Sequence, residues 1–486
     1  MGRSKATFRE FLVAAVANIS AICVGLTVGW PFPMFQKLTD KSLSDNPIGY
    51  PIVESEQSWI NSVLAVGGFF GPFAAGFLAD WKGRKLALWL SGVIHIVGWI
   101  MLLQSTSVPV MIAARFVQGF AGGCILNGLT MYIGEIASDE YRGILGSFLQ
   151  IGQTSRHACI AYSEESSNIF YFSVGTLYVY LIGPYVSYIS FQWICCAVPL
   201  LFTILFFYMP ETPHFFISKG LYLQAAKSLM YLRDASLEEI QGDLQLIKDY
   251  VLQEESLQKS NAFRSLFTNR ANLRALMISF CLISLQQWSG IDCIQSNSEL
   301  IFEKAEIALP SEVCTIIMGA VQVVFVCCVI FFVDHSGRRP VLMASTLGLS
   351  VVLALLGAYF VMDSLDVPSQ SISWIPLTGM IGFISIYNVG FGPVPWAIAA
   401  EIFAHDVKAL GSMIIVSSSW VLDFLALRFF LLISESYGYE WAFWIFALVC
   451  AGAFLFTLLC VIETKGLSLQ EIQNRLGGGG KKVEEE

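Results

Sequence analysis

Apolar runs of roughly twenty residues recur along the whole chain, and the short polar stretches between them hold most of its Lys, Arg, Asp and Glu. The runs begin near positions 11, 57, 85, 107, 143, 190, 272, 313, 339, 372, 407 and 440, which predicts twelve membrane-crossing helices. One long break interrupts the rhythm. Between His214 and Ala271, the segments Leu221 to Leu232 and Leu237 to Leu252 alternate charged and apolar positions at helical spacing. They read as short amphipathic helices of a cytoplasmic linker.

Composition supports this reading. Of 486 residues, 55% are hydrophobic and only 13% charged, with a mean hydropathy of +0.64. So few charges cannot coat a soluble globule of this size, and the helices must face lipid. The net charge of −9 says little about partners, because the placement of Lys and Arg, not their sum, sets orientation. These residues gather in one set of alternate loops and the two tails. Only Lys37, Lys41 and Lys304 fall in the other set, and Arg115, Arg156 and Arg428 lie within or beside apolar runs. Both termini are therefore expected in the cytoplasm. The first run, Phe11 to Pro33, lacks a small-residue cleavage site and continues as a full span, so it reads as the insertion signal itself. The 12 cysteines lie almost all in apolar stretches without CxxC spacing, as small core hydrophobes rather than disulfides or metal ligands. The sequon Asn18-Ile19-Ser20 is inside the first span and is expected to be unused.

Two polar signatures occur twice, in the same order and at nearly the same offset. Asp80-Trp81-Lys82-Gly83-Arg84-Lys85 is echoed by Asp334-His335-Ser336-Gly337-Arg338-Arg339, and Glu135-Ile136 with Arg142 is echoed by Glu401-Ile402 with Lys408. A third element, Pro210-Glu211-Thr212-Pro213, has its counterpart in Ile462-Glu463-Thr464-Lys465-Gly466. One half has been duplicated, as in transporters whose paired bundles hold substrate between them near the bilayer midplane. The basic residues after the second and eighth spans can meet Glu135, Glu401, Glu211 and Glu463, and such pairs are expected to latch the two bundles on the cytoplasmic side.

Several motifs are specific in combination: Gly76-x3-Asp80-x2-Gly83-Arg84, Arg115-x2-Gln118-Gly119, Glu135-x6-Arg142-Gly143, Gln286-Gln287-Trp288-Ser289-Gly290-Ile291, Gly392-Pro393-Val394-Pro395-Trp396 and Glu463-Thr464-Lys465-Gly466. With them the chain, from about Val13 to Leu476, resembles the sugar porters of the major facilitator superfamily. Within these it is similar to the insect branch that includes facilitated trehalose transporters. The resemblance implies an all-α integral membrane protein of twelve transmembrane helices, in two six-helix bundles related by pseudo-two-fold symmetry. The bundles would cover residues 1–213 and 272–463, with linker helices at 214–271 and a cytoplasmic tail at 464–486.

The resemblance also implies a central sugar site. A sugar is uncharged and covered with hydroxyls, so amide side chains suit it, and an aromatic face suits its C–H surface. The matching positions are Gln150 in the fifth span, Gln286, Gln287 and Asp292 in the seventh, Gln322 in the eighth, Asn388 and Trp396 in the tenth, and Ser419 and Asp423 in the eleventh. Pro393 and Pro395 interrupt the tenth helix and supply a hinge. The chain departs from the family where Asp292 replaces an expected Asn, Ser296-Asn297 a Phe-Tyr pair, Ser419 an amide and Asp423 a small or amide residue. Intramembrane carboxylates are costly unless paired or functional, so Asp292 and Asp423 keep proton coupling open. Proton-coupled members carry an acid in the first span, and Asn18 to Trp30 has none, which favours facilitated diffusion.

One segment does not fit. The interval Arg142 to Glu211 is longer than its counterpart Lys408 to Glu463, and the excess falls at Ser155 to Ser173, which carries Arg156, His157, Glu164 and Glu165 into the expected middle of the fifth helix. Each such charge at a bilayer centre costs about 2.5 to 3.5 kcal/mol. We read this segment as translated intron sequence or a gene-model error, because it is in frame and Ile169-Phe170-Tyr171-Phe172-Ser173 can be encoded by a pyrimidine tract ending in AG. The alternative is a genuine bulge beside Gln150. The expected function is facilitative transport of trehalose or a hexose such as glucose across the plasma membrane by alternating access. A proton-coupled symporter and a non-transporting sugar sensor are the alternatives. No nucleophile with a base, metal cluster or phosphate loop stands at a spacing that suits an enzyme, and the sequence calls for no cofactor, nucleic acid or obligate protein partner.

Overall fold

The structure is a computed structural model that describes residues 8–40, 45–137, 156–258, 262–298, 301–302, 309–364, 374–404, 407–465, 467 and 469–477. Among the described residues every regular element is helical. The first span is Phe8–Gly29 continued by Pro31–Thr39, and the second to fourth are Glu54–Lys82, Arg84–Leu103 and Val108–Ile136. The fifth and sixth are Arg156–Ile182 and Tyr188–Phe207, and the seventh is Arg270–Gln287 with Ile291–Ser296. Ser311–Ser336, Arg338–Ser364, Ile375–Ile402, Lys408–Tyr437 and Tyr439–Cys460 complete the set. Nine of these, among the described residues, are long and apolar enough to cross a membrane by length and composition alone. The seventh is broken.

Turns and close helix contacts follow from small residues. Gly83, Gly337 and Gly438 take φ of +113°, +90° and +99° where the second, eighth and eleventh spans reverse into the next, a conformation that only glycine adopts without strain. The second and fourth spans touch backbone to backbone: a Cβ on Gly119 would overlap the Leu64 carbonyl, and one on Gly123 the Gly68 carbonyl. In lipid such contacts replace the hydrophobic drive that packs soluble helices.

The fifth span is described from Arg156 onward. Its start is expected at position 143, and residues 138–155, Arg142 and Gln150 among them, lie outside the described residues; the described part of the span is Arg156–Ile182. At about 1.5 Å per residue, the 27 residues of Arg156–Ile182 exceed the hydrocarbon core of about 30 Å. Arg156 and His157 are the first two described positions of this helix. Counting roughly twenty residues back from Ile182 puts Glu164 and Glu165 near the end of the crossing segment, away from its centre. Gly25 and Gly175 fix the register, since a Cβ on either would overlap a carbonyl of the other helix, Phe172 or Ile22.

The linker forms helices Pro213–Ser218, Tyr222–Arg233, Gln241–Gln258 and Ala262–Thr268. Arg233 fastens it to the first bundle. Its side chain, 8% exposed, meets the fully buried Glu10 at 2.9 Å and Asp243 at 3.7 Å, and donates to the Ile136 carbonyl at 3.2 Å. The tail helix Leu469–Gly477 docks on the second bundle, where Gln473 Nε2 donates to the Ile402 carbonyl at 2.6 Å and Arg274 Nη1 to the Leu476 carbonyl at 2.7 Å.

Candidate functional site

Two helix breaks face each other in the second bundle. The seventh span stops after Gln287, turns through Gly290 at φ +87°, and restarts at Ile291. The tenth runs to Ile386, passes through a π turn over Tyr387–Phe391, and restarts at Val394 after Pro393. Pro395 has no N–H to give the Phe391 carbonyl four residues back, so that acceptor is freed inside the protein. Gln286 meets it. Its Nε2 donates to the Phe391 carbonyl at 2.7 Å and to the Gly392 carbonyl at 2.6 Å. The hinge prolines and the predicted ligand Gln286 thus form one structure, and Gln286 Oε1 stays buried without a hydrogen-bond partner.

The other predicted residues spread from this point. Gln287 Nε2 approaches the Ser419 carbonyl at 3.4 Å. Gln322 Oε1 accepts from Gln295 Nε2 at 3.0 Å, and Gln322 Nε2 donates to Ser173 Oγ at 3.3 Å, which carries a polar chain from the seventh span through the eighth to the fifth. Asp292 lies on the restarted half of the seventh span, which packs on the eleventh span that carries the buried Asp423. Asn388 and Ser419 instead satisfy their own helices, at the carbonyls of Ile384 and Val416. Trp396 is partly buried on the tenth span. Gln295 and Ser173 escaped the sequence reading. Gln295 lies one turn after Asp292 on the same face, a signal that was available.

The bundles meet at one end of this region. Arg428 Nη1 donates to Ser58 Oγ at 2.7 Å and its guanidinium lies 4.5 Å from the Trp59 ring centre, with Trp59 and Phe424 in contact nearby. A Cβ on Gly68 would overlap the Trp420 ring. Ser58 and Trp59 open the second span, so this closure lies opposite the end that carries the doubled charges.

Those charges pair, but within bundles. Arg84 Nε meets Glu135 Oε1 at 2.9 Å and Arg84 Nη1 meets Asp80 at 3.6 Å; Arg338 Nη2 meets Glu401 Oε1 at 3.3 Å. Glu211 accepts from the Lys85 backbone N–H at 3.0 Å, while Glu463 accepts from those of Arg338 and Arg339, each at 3.1 Å. Each carboxylate therefore caps a helix N-terminus, where the dipole favours it. Gly83 and Gly337 make room, because a Cβ on either would overlap the acid. Burial pushes the Glu211 carboxyl above its ordinary range, and the N–H groups of Thr212 and Lys85 draw it back. Lys408 is exposed at the start of the eleventh span, and the side chain of Asp334 lies outside the described residues. Among the described residues these pairs lie within one bundle and brace it; Arg142 lies outside the described residues.

The sequence matches the sugar (and other) transporter family over residues 12–476. The chain belongs to that family. Similar curated proteins include the facilitated trehalose transporter Tret1-2 homolog of Drosophila simulans, 27% identical over 473 residues, which cover 97% of this chain and 92% of the relative. The facilitated trehalose transporter Tret1 of Bombyx mori is 27% identical, with 98% and 88% covered. Against that of Drosophila grimshawi, 26% identical, this chain spans about half, 48%, of the relative's length. Among solved structures, a partially occluded inward-open form of the Escherichia coli xylose transporter XylE superposes with a TM-score of 0.73 at 20% identity, covering 95% of this chain and all of that one. The fold is that of the major facilitator superfamily, and the protein is a multi-pass membrane transporter, not an enzyme.

In this family member the buried Arg115 has no carboxylate partner in the first span. Its Nη1 donates to the Thr27 carbonyl at 2.7 Å and its guanidinium faces the Trp30 ring at 5.1 Å. Asn18 is also buried, its Nδ2 bonded to the Ala14 carbonyl.

Proposed function

We propose that the chain carries a sugar, trehalose or a hexose such as glucose, across the plasma membrane by facilitated diffusion, with both termini in the cytoplasm. One central site between the bundles would open alternately to either side. The observation that carries this reading is the setting of Gln286 and Gln287 against the broken tenth span. Amide groups and freed carbonyls there offer donors and acceptors to a neutral polyhydroxyl ligand. The facilitated trehalose transporters among the relatives and the lack of an acid from Asn18 to Trp30 support diffusion without a coupling ion.

We further infer that the transporting form lacks Ser155 to Ser173. Counting back from Gly175, the shortened chain sets Thr154 at the position of Ser173, which keeps a hydroxyl for Gln322, and Gln150 at the position of Ile169. Uptake of labelled trehalose and glucose by the full and shortened chains, at matched surface amounts, tests both proposals. Saturable uptake that stops at the external concentration, and is greater in the shortened chain, is expected. Accumulation against a gradient would overturn facilitated diffusion, and equal rates from both chains would overturn the role given to the deletion.

A further inference from the structure

One cation of the second bundle is held by the first. Arg428 lies within the apolar run of the eleventh span and is half-buried. Its Nη1 donates to Ser58 Oγ at 2.7 Å, and its guanidinium lies 4.5 Å from the centre of the Trp59 ring, which pairs with the ring of Phe424 one turn back on the eleventh span. Ser58 and Trp59 both belong to the second span, in the other bundle. Further along that span Gly68 lies against the Trp420 ring, which a Cβ there would overlap. Positions 58 and 68 of one helix thus face 428 and 420 of the other. The two helices run antiparallel along a seam about 15 Å long, at about 1.5 Å per residue, and Arg428 closes its end.

An arginine inside a membrane segment is costly unless a partner or a function keeps it. Arg84 and Arg338 find their acids within their own bundles. Arg428 instead makes its contacts across to the other bundle, so they exist only while the bundles are closed at this end. We propose that Arg428 is the fastener of this seam. Its cation, held by the Ser58 hydroxyl and the Trp59 face, sets how often the end opposite the doubled charges opens. It acts as a positioning residue that biases the two faces of the carrier, not as a sugar ligand. A hydrogen bond from a charged donor and a cation–π contact, part of which water replaces on opening, favour the closed seam by about tenfold. A ligand sees only the fraction of molecules open to its side. Removing the fastener therefore lowers the half-saturation concentration for sugar offered outside and raises it for sugar offered inside. A residue that merely stabilised the fold would not move the two in opposite directions.

These shifts rest on the reading of the chain as a sugar carrier with cytoplasmic termini, whereas the fastener itself can be tested without sugar. Ser62, fully buried and one turn beyond Ser58 on the same face of the second span, provides the probe. A membrane-impermeant maleimide is applied to intact cells that display the full chain with Ser62→Cys. The rate of labelling, above that of the chain without this cysteine, reads opening of the seam. Arg428→Met should raise it about tenfold, and Arg428→Lys, which keeps a cation for the ring, should raise it less. Gly68→Ala wedges the seam apart through Trp420 and should raise labelling whatever residue stands at 428. An unchanged rate in Arg428→Met, at matched surface amounts and with Gly68→Ala labelled faster, would overturn the fastener. No acceleration in either variant would overturn both the fastener and the opening of this end to the outside. If Arg428→Met does not reach the surface, Ser58→Ala and Trp59→Leu, which each remove one partner and leave the arginine, decide instead, with faster labelling expected of both. Half-saturation for uptake and for exit of labelled glucose and trehalose is the second readout. Faster labelling of Arg428→Met, with neither sugar carried by the full chain or by the chain lacking Ser155 to Ser173, would keep the fastener and sink the sugar reading.

Discussion

Gln286 is predicted from sequence as a ligand, and the structure gives it a second task that mutation should expose. Its Nε2 satisfies the Phe391 and Gly392 carbonyls at 2.7 and 2.6 Å, the acceptors released by the break in the tenth span. Gln286→Leu keeps the volume near that of the amide and removes both bonds. A hydrogen bond contributes about 0.5 to 1.5 kcal/mol net, so two cost about 1 to 3 kcal/mol, or roughly 5- to 150-fold in the population of the broken conformation. If the break gates the cycle, that loss enters the turnover rate as well as affinity. Gln287→Leu, with a single 3.4 Å contact to the Ser419 carbonyl, should act on affinity alone. Initial rates of labelled sugar uptake against concentration, in the form of the chain that transports, separate the two, with surface protein quantified. A Gln286→Leu variant with unchanged maximal rate and altered half-saturation would show that Gln286 only binds and that the helix break stands without it.

The remaining predictions concern the frame around the site. Arg233→Met should cost about 3 to 5 kcal/mol, the usual consequence of taking one partner from a buried ion pair, because Glu10 at its other end is fully buried. Faster protease cleavage in the linker between residues 234 and 262 and a lower melting temperature in detergent would show it, and unchanged cleavage would contradict the fastening role. Gly83→Ala and Gly337→Ala should each lower the yield of folded protein, by a strain of about 1 to 3 kcal/mol for a side chain at positive φ plus the overlap with Glu211 or Glu463. A normal size-exclusion profile and melting temperature for either variant would refute the shared design of the two turns. Gly175→Val should prevent the fifth span from seating on the first, so that surface protein is lost, whereas a fully expressed variant would mean that the register assigned here is wrong.

Much of this protein is legible along the chain because lipid imposes a simple rule: every crossing segment must be helical and apolar for about twenty residues. The spans, the duplication and the prolines of the tenth helix are local facts, and Gly83 and Gly337 appear inside repeated motifs before any turn is seen. The sequence alone determined the membrane class, the two halves and the polar residues that departed from the apolar background. It did not determine what those residues touch. Gln322 meets Gln295 only because the seventh and eighth spans pack together, as Glu10 meets Arg233 only when the linker folds back on the first span. Whether the doubled charges cross between bundles or stay within one depends on how the bundles are tilted, and no spacing encodes that. The fifth span shows the same division. An uninterrupted apolar run suggests its start, but the backbone contact of Gly25 with Gly175 sets its register, because close packing between helices, unlike hydropathy, tolerates only one alignment.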